Sequence, residues 1–254
     1  MNTKNDYIAV FDSGVGGISV LRQLWREMPE ERYLYFGDSA NAPYGTRPTA
    51  EIRALTMAVA EKLMARGIKA LVVACNTATS AAISELRQRY PDTIIVGIEP
   101  ALKPASDRFP NGTVGVMATP ATLREQKFAR LLERFSDHCH VVKLPAAGLV
   151  ELVEQGKANS PESEALLRPL LEPYAGKLDA VVLGCTHYPF AAETILNILG
   201  RDTLLLDGGA GTARETRRRL AAAGLLRQGE GQLLMENSLG SQRICELCHR
   251  LMEE

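Results

Sequence analysis

The stretch "ALVVACNTATSAA", from Ala70 to Ala82, decides the fold class of this chain. It begins with a continuous apolar run rich in valine, which is typical of a strand buried on both faces of a parallel sheet. The run stops at Cys75, and small polar residues follow. The pattern therefore predicts a buried strand that ends at a thiol, with a helix opening after it.

A second stretch repeats this layout. It reads "AVVLGCTHYPFAA" from Ala180 to Ala192, and Cys185 takes the place of Cys75. The first strands of the two halves, "IAVFDSG" and "VGVMATP", also correspond loosely. Two unrelated strand-to-helix junctions can share small residues by chance, but matched cysteines at both junctions favour an internal duplication.

Along the whole chain, short apolar runs alternate with longer amphipathic ones, including a helix expected around Leu123 to Phe135. This alternation is typical of βα units and parallel sheets. We therefore predict an α/β fold of two similar domains, each with a parallel-rich sheet flanked by helices. If a pseudo-twofold axis relates the domains, the carboxyl ends of their strands converge on a cleft between them, where open α/β sheets bind ligands.

Composition limits the classes of partner and compartment. A chain of 254 residues with a formal net charge of −1 carries no electrostatic footprint for nucleic acid or for an anionic membrane. The N-terminal apolar run is too short and wrongly flanked for a signal peptide, and no stretch approaches the roughly 20 apolar residues of a membrane span. We expect a cytoplasmic protein whose five cysteines are reduced thiols.

Two thiols that face each other across a cleft suit one kind of chemistry, the inversion of a carbon centre. One thiolate removes a proton from one face of a carbon next to a carboxyl group, and the opposite thiol returns a proton to the other face. A cysteine needs a helix N-terminus or a nearby cationic or hydrogen-bonding group to act as a base at neutral pH. Candidates for that help are His187, two residues after Cys185, and Asp12, at the end of the first strand. Alone, each would more often be a structural residue or a helix cap.

Small residues and free backbone N–H groups are predicted at "DSGVGG" (Asp12 to Gly17), at "APYG" (Ala42 to Gly45) and after each cysteine. Such clusters bind carboxylates, although glycines there can also serve only to make turns. "DSGVGG" lacks the spacing of a dinucleotide fingerprint, and no ATP-binding loop motif is present. The "CELC" and "HCH" segments lack the ligand set of a zinc site, so we expect no metal and no cofactor.

Five motifs, "FDSGVGG", "PYG", "VACNTA", "GIEPA" and "GCTHYP", occur in this order and together resemble the glutamate racemases, which need no cofactor. The resemblance covers nearly the whole chain. It implies that Cys75 acts on the D-enantiomer and Cys185 on the L-enantiomer of glutamate, assisted by Asp12 and His187. It also implies the supply of D-glutamate for peptidoglycan synthesis and cell-wall biogenesis. The implied substrate contacts are Asp12, Ser13, Tyr44, Gly45, Asn76, Thr77, Thr186 and His187.

The same resemblance implies an N-terminal domain of residues 1–97 completed by 208–254, and a second domain of residues 98–207. Glutamate racemases often form homodimers, but in varied arrangements, so the oligomeric state stays open. A further carboxylate belongs in "GLVELVEQG", where the sequence does not choose between Glu151 and Glu154. Thr119 and Thr122 are likewise alternative contacts.

Two other functions compete with glutamate racemisation. One is a racemase of another substrate, chiefly aspartate or a hydantoin. A charged distal carboxylate needs more N–H donors than a neutral ring does, and "DSG" with "PYG" supplies them. The other is a binding protein without catalysis, which would need neither cysteine.

Overall fold

Each of the two apolar runs that lead to the cysteines forms an inner strand of its own parallel sheet in the computed structural model, which describes residues 6–136 and 138–253. The strands are β1 (Tyr7–Asp12), β2 (Arg32–Gly37), β3 (Ala70–Val73), β4 (Ile94–Gly97), β5 (Thr113–Ala118), β6 (His140–Pro145), β7 (Ala180–Leu183), β8 (Leu204–Asp207) and β9 (Gln232–Asn237).

Helices cover both faces of each sheet. They are α1 (Ile18–Glu27), α2 (Thr49–Met64), α3 (Asn76–Arg89), α4 (Leu102–Arg108), α5 (Pro120–Arg124), α6 (Gln126–Ser136), α7 (Leu149–Glu154), α8 (Pro161–Leu171), α9 (Ala192–Leu199), α10 (Gly209–Ala222) and α11 (Gln242–Glu253). Single 3-10 turns lie at Tyr44–Thr46, Glu172–Tyr174 and Tyr188–Ala191.

The two sheets have the same strand order. The first runs β4-β3-β1-β2-β9 and the second, written in the same direction, runs β8-β7-β5-β6, and all their paired strands are parallel. Ile8 pairs with Ala70 in the first sheet, as Val114 pairs with Ala180 in the second. The structure therefore confirms the predicted α/β fold of two similar parallel sheets.

The chain crosses between the sheets after β4 and again after β8, and then adds β9 to the first sheet beside β2. The two crossings touch, because a Cβ on Gly208 would lie 2.2 Å from the carbonyl oxygen of Glu99. Only glycine fits so close to a backbone oxygen. These crossings support the predicted division at residues 97 and 208, which stays a prediction.

One continuous apolar cluster joins the two halves. It contains side chains of both sheets, such as Val10 on β1 and Leu183 on β7, together with residues of α1, α7, α8, α9 and α10. The outer face of the first sheet packs against α2 and α3, and that of the second packs against α4 and α6. The carboxyl ends of β1, β3, β5 and β7 therefore lie near the contact between the sheets.

The helix predicted around Leu123 to Phe135 is confirmed as α6, but its first residues belong to a separate short helix, α5. Glu125 has an extended backbone (φ −67°, ψ 130°) between them, and its carboxylate accepts a hydrogen bond from the Thr49 hydroxyl on the other half of the molecule. That contact lies between residues distant in sequence, so helical periodicity does not show it. Within residues 6–136 and 138–253, no helix combines the length and apolar character that a membrane span requires.

Candidate active site

The two cysteines line one small cavity between the sheets. Its volume is about 10 Å³, which admits a single water molecule at most. A ligand larger than water therefore does not fit the cavity as it stands in this structure. The residues that line the cavity are Ser13, Pro43, Tyr44, Gly45, Cys75, Asn76, Thr77, Thr119, Val150, Cys185, Thr186 and His187. Asp12 is fully buried beside them.

Cys75 stands at the start of α3, as predicted. Its sulfur accepts the backbone N–H of Ala78 at 3.4 Å, so the thiol itself caps the helix. The Ser13 hydroxyl lies 3.5 Å from the same sulfur. Burial and then the charge of Asp12 raise the pKa of Cys75 to about 12, although the Ser13 and Ala78 contacts oppose that rise. Before substrate binds, Cys75 is therefore a protonated thiol.

Cys185 has a different local structure from Cys75, and the helix predicted to open there does not form. A turn and the 3-10 segment Tyr188–Ala191 follow Cys185, and α9 begins only at Ala192. Pro189 lies in the first turn of that segment. The turn brings Nδ1 of His187 to 3.8 Å from the Cys185 sulfur.

His187 connects Cys185 to a carboxylate. Its Nε2 lies 2.6 Å from Glu154 Oε1, and that oxygen also accepts the backbone N–H of Val15 at 2.8 Å. Burial alone would lower the pKa of His187, but the contacts with Cys185 and Glu154 outweigh burial and raise it well above 6.5. The raised pKa favours the imidazolium form of His187, a group that stabilises a neighbouring thiolate.

The choice between Glu151 and Glu154 is answered by this geometry. Glu154 bonds to His187, and both Glu151 and Glu154 also line a separate cavity between α7 and α11. Glu151 lies in the first turn of α7 and Glu154 is its last residue, and the sequence carries no signal for which of them reaches the histidine.

Asp12 joins the two halves of the site. Its carboxylate accepts the backbone N–H of Gly14 at 3.0 Å and the Thr186 hydroxyl at 2.9 Å. Burial raises the pKa of Asp12, while His187 and these hydrogen bonds oppose the rise. Asp12 influences Cys75 through its charge, and the hydroxyl in contact with the Cys75 sulfur belongs to Ser13.

The glycines of "DSGVGG" let neighbouring side chains approach the backbone closely, and they are not needed for unusual backbone angles. A Cβ on Gly14 would lie 1.8 Å from Glu154 Oε1, and a Cβ on Gly16 would lie 2.3 Å from His187 Nδ1. Neither glycine has a positive φ. The loop therefore needs glycine so that the first half can pack directly against the histidine and the carboxylate of the second.

Three threonine hydroxyls meet beside the cavity. Thr77 Oγ1 lies 3.3 Å from that of Thr119 and 3.0 Å from that of Thr122, and the last two are 3.0 Å apart. Thr119 lines the cavity. Asn76, next to Cys75, is 5% exposed, and neither polar atom of its side chain has a partner in the part of the chain described. Buried amides without partners are rare, and this one lies where a carboxylate could bind.

The other cysteine and histidine motifs lie apart from this cavity. Cys248 is buried in α11, while Cys245 accepts a hydrogen bond from the Asn237 side chain at 3.3 Å. In residues 6–136 and 138–253, no group of three or more His, Cys, Asp or Glu side chains could hold a metal ion.

Comparisons with known proteins agree with this fold. The model of the Asp/Glu/hydantoin racemase family matches residues 15–216. The glutamate racemase of Clostridium acetobutylicum is 47% identical, over 100% of this chain and 100% of that protein. Among solved structures, Escherichia coli glutamate racemase in complex with L-glutamate and the activator UDP-MurNAc-ala has a TM-score of 0.82 at 32% identity, covering 96% of this chain and 94% of that one. The Francisella tularensis glutamate racemase in complex with D-glutamate has a TM-score of 0.85 at 27% identity, covering 99% and 95%.

These findings show that the chain belongs to the Asp/Glu/hydantoin racemase family, a class of isomerases. Within that family, its full-length relatives are glutamate racemases, which confirms the resemblance inferred from the five motifs.

Proposed function

We propose that this chain interconverts L- and D-glutamate by proton transfer at Cα between Cys75 and Cys185. The observation that carries the proposal is that the two thiols, one from each sheet, line the same small cavity. A protein that only bound its ligand would not require a thiol at the end of either strand. The names of the full-length relatives support glutamate as the substrate.

The surroundings of the two thiols support opposite starting roles. Cys75 is buried with a pKa of about 12 and is therefore a proton donor. Cys185 lies beside the imidazolium of His187 and is suited to be the base. With L-glutamate, the Cα–H bond breaks, the proton goes to Cys185, and the electron pair delocalises into the α-carboxylate. Cys75 then gives its proton to the opposite face, and D-glutamate forms.

Neighbouring groups restore the thiols after each turnover. His187, held by Glu154, exchanges a proton with Cys185. On the other side, Ser13 contacts Cys75, and Asp12, whose pKa is raised by burial, lies close behind. The reverse reaction starts when Cys75 removes the proton of D-glutamate. No cofactor takes part in this scheme, because the adjacent carboxylate and the two thiols supply every step.

The remaining cavity residues bind the substrate carboxylates. We assign Asn76, Thr77 and Thr186 to this role, because each lies beside one of the two thiols. Ser13, Tyr44 and Gly45 complete the contacts. The product D-glutamate would serve peptidoglycan synthesis in the cytoplasm, and a homodimer is a prediction that the mass of the protein in solution would test.

The decisive experiment follows both amino acids in D2O by proton NMR. Early D-glutamate formed from L-glutamate should carry deuterium at Cα, while the remaining L-glutamate stays largely unlabelled. The converse should hold from the D side. A single base that served both faces would return the hydrogen it had captured, so early product rich in protium would contradict the two-thiol scheme.

Variants make the same test specific to the two sulfurs. Cys75→Ala and Cys185→Ala should each abolish racemisation, because neither thiol alone reaches both faces. Cys139→Ala is the matched control, since Cys139 is a buried cysteine that does not line the cavity. Wild-type protein that racemised L-aspartate faster than L-glutamate would overturn the choice of substrate and leave the scheme intact.

A further inference from the structure

The loop before the Tyr44–Thr46 turn contains a buried carboxylate that lies outside the cavity. Asp38 follows β2 and is only 2% exposed. Its Oδ2 accepts the Tyr44 hydroxyl at 2.7 Å, and both of its oxygens accept the Asn41 side chain, at 3.0 and 3.1 Å. Its backbone N–H donates to the carbonyl of Asp12 at 2.9 Å. Asp38 therefore links the end of the first strand to the turn that forms one wall of the cavity.

We infer that Asp38 is a positioning residue that holds Tyr44 and Gly45 at a fixed depth in the cavity and so sets the chain length of the acidic substrate. The inference rests on the proposed function and concerns how the same cavity distinguishes glutamate from its shorter homologue aspartate. Asp38 does not touch the cavity itself and acts through Tyr44.

The first argument concerns the Tyr44 side chain, which is 1% exposed and packs edge-on against Phe11. Burial and the Asp38 carboxylate raise the pKa of Tyr44, so the phenol stays protonated and donates a hydrogen bond to Asp38. Hydrogen bonds to an ionised carboxylate are shorter and about twice as strong as neutral ones. With its hydroxyl committed in this way, Tyr44 offers the cavity its ring and its backbone.

The second argument concerns the opposite wall. A Cβ on Gly45 would lie only 2.8 Å from Cβ of Thr119, so the turn already packs tightly against the second half of the molecule. Asp38 fixes the turn from one side and Thr119 limits it from the other. A small displacement of the turn therefore changes the space left for the distal carboxylate. One methylene in a well-fitted pocket is worth about 10- to 200-fold in specificity.

The test compares Asp38→Asn, Tyr44→Phe and the double variant on L-glutamate and L-aspartate. Each single change should raise KM for L-glutamate by about tenfold, the loss expected for one hydrogen bond to a charged group, with a smaller effect on kcat. The preference for glutamate over aspartate should fall in both. Because the two changes remove the same bond, the double variant should be no worse than the more severe single one.

Tyr33→Phe is the matched control. Tyr33 is fully buried in the same half, and its hydroxyl donates to the carbonyl oxygens of Leu24 and Met28, at 2.9 and 3.0 Å, away from the cavity. It should lower thermal stability as Tyr44→Phe does, but leave KM and the substrate preference unchanged. Tyr44→Phe retains the carboxylate and is the variant to use if Asp38→Asn fails to fold.

An unchanged KM and substrate preference in folded Tyr44→Phe would overturn the inference, and so would additive effects in the double variant. Binding of D-glutamate measured by calorimetry gives a second readout that needs no turnover. The affinity of the variants for D-glutamate should fall in parallel with the rise in their KM. Wild-type protein that bound D-glutamate without racemising it would contradict the proposed function, while the binding data would still decide the role of Asp38.

Discussion

Glu154 Oε1 lies 2.6 Å from Nε2 of His187, and the Nδ1 atom of that ring lies 3.8 Å from the sulfur of Cys185. The order carboxylate, imidazole, thiol is the arrangement in which an acid group orients a histidine that serves a nucleophile or base. Glu154 Oε1 also accepts the N–H of Val15, so the "DSGVGG" loop of the first half contacts the same carboxylate. Residues of both halves therefore form the environment of Cys185.

The first prediction concerns catalysis by this chain of contacts. His187→Ala should slow racemisation of glutamate by about 10²- to 10⁴-fold, the usual contribution of a positioned acid or base. Glu154→Gln should slow it less, because the ring remains. Steady-state rates measured in both directions would check this, and a His187→Ala enzyme of full activity would remove the histidine from the mechanism.

The second prediction concerns stability against pH. His187 has a pKa raised well above its ordinary 6.5, so its protonated form stabilises the fold fully below about pH 6.5. That stabilisation should be lost as the pH rises through the higher folded-state pKa. Glu154→Gln removes a cause of the shift. The difference in Tm between wild type and Glu154→Gln should therefore be largest near pH 6 and shrink above it, and a difference that grew with pH would contradict the assignment.

The third prediction tests the close approach of Gly16 to His187. Gly16→Ala places a methyl group 2.3 Å from the Nδ1 atom of the His187 ring, so the imidazole must move. Misplacing a catalytic group by about 1 Å can cost about 10²-fold in rate. Gly211→Ala is the control, because nothing lies within 4 Å of a Cβ there, and alanine in α10 should raise stability by about 0.5–1 kcal/mol. Equal kcat/KM in the two variants would refute the argument.

The fourth prediction concerns the thiol of Cys75. Burial is the main cause of its raised pKa, and the charge of Asp12 is the next. Asp12→Asn removes that charge and should lower the pKa, so iodoacetamide should modify Cys75 faster at pH 9. Mass spectrometry of the modified peptides measures the rate at each cysteine. Cys139 is the internal reference, because burial alone raises its pKa. A slower reaction at Cys75 would show that Asp12 acts in another way.

The fifth prediction concerns a buried ion pair that holds the C-terminal segment to the first half. Lys69 Nζ lies 2.6 Å from Glu31 Oε2 and donates to the Leu225 carbonyl at 2.9 Å, and both charged side chains are at most 4% exposed. Lys69→Met leaves Glu31 buried without its cation and should lower the free energy of unfolding by about 3–5 kcal/mol. Urea denaturation would measure this, with Lys103→Met, in an exposed pair with Asp107, as a control of little effect.

The local sequence pattern was enough to predict both parallel sheets and to place a cysteine at the end of one strand in each. The valine-rich runs before Cys75 and Cys185 form β3 and β7, and the matched spacing around them reflects the identical strand order of the two halves. Part of what the sequence could not show depends on contacts between residues distant in sequence. The break at Glu125 and the selection of Glu154 over Glu151 belong to this group. The missing helix after Cys185 is a local feature, since Pro189 lies in the turn that replaces it.

The buried position of Asp38 has a signal in the sequence. Asp38 follows β2 as Asp12 follows β1, and the register places Asp12 opposite Gly37, the residue just before it. Two aspartates at the ends of paired parallel strands lie side by side, so the buried position of Asp38 could have been inferred from the alignment of the strands. Its bond to Tyr44 could not, because the intervening loop has no repeating pattern.

The shared strand order of the two sheets has a consequence for how this chemistry can diversify. A chain that held only one sheet would carry one thiol, and a symmetric pair of such chains would surround both thiols with identical neighbours. Covalent linkage of the two halves removes that constraint. A serine hydroxyl can then contact one sulfur while a histidine, held by a glutamate, contacts the other. Each direction of the reaction can therefore be tuned by substitutions that leave the opposite half unchanged.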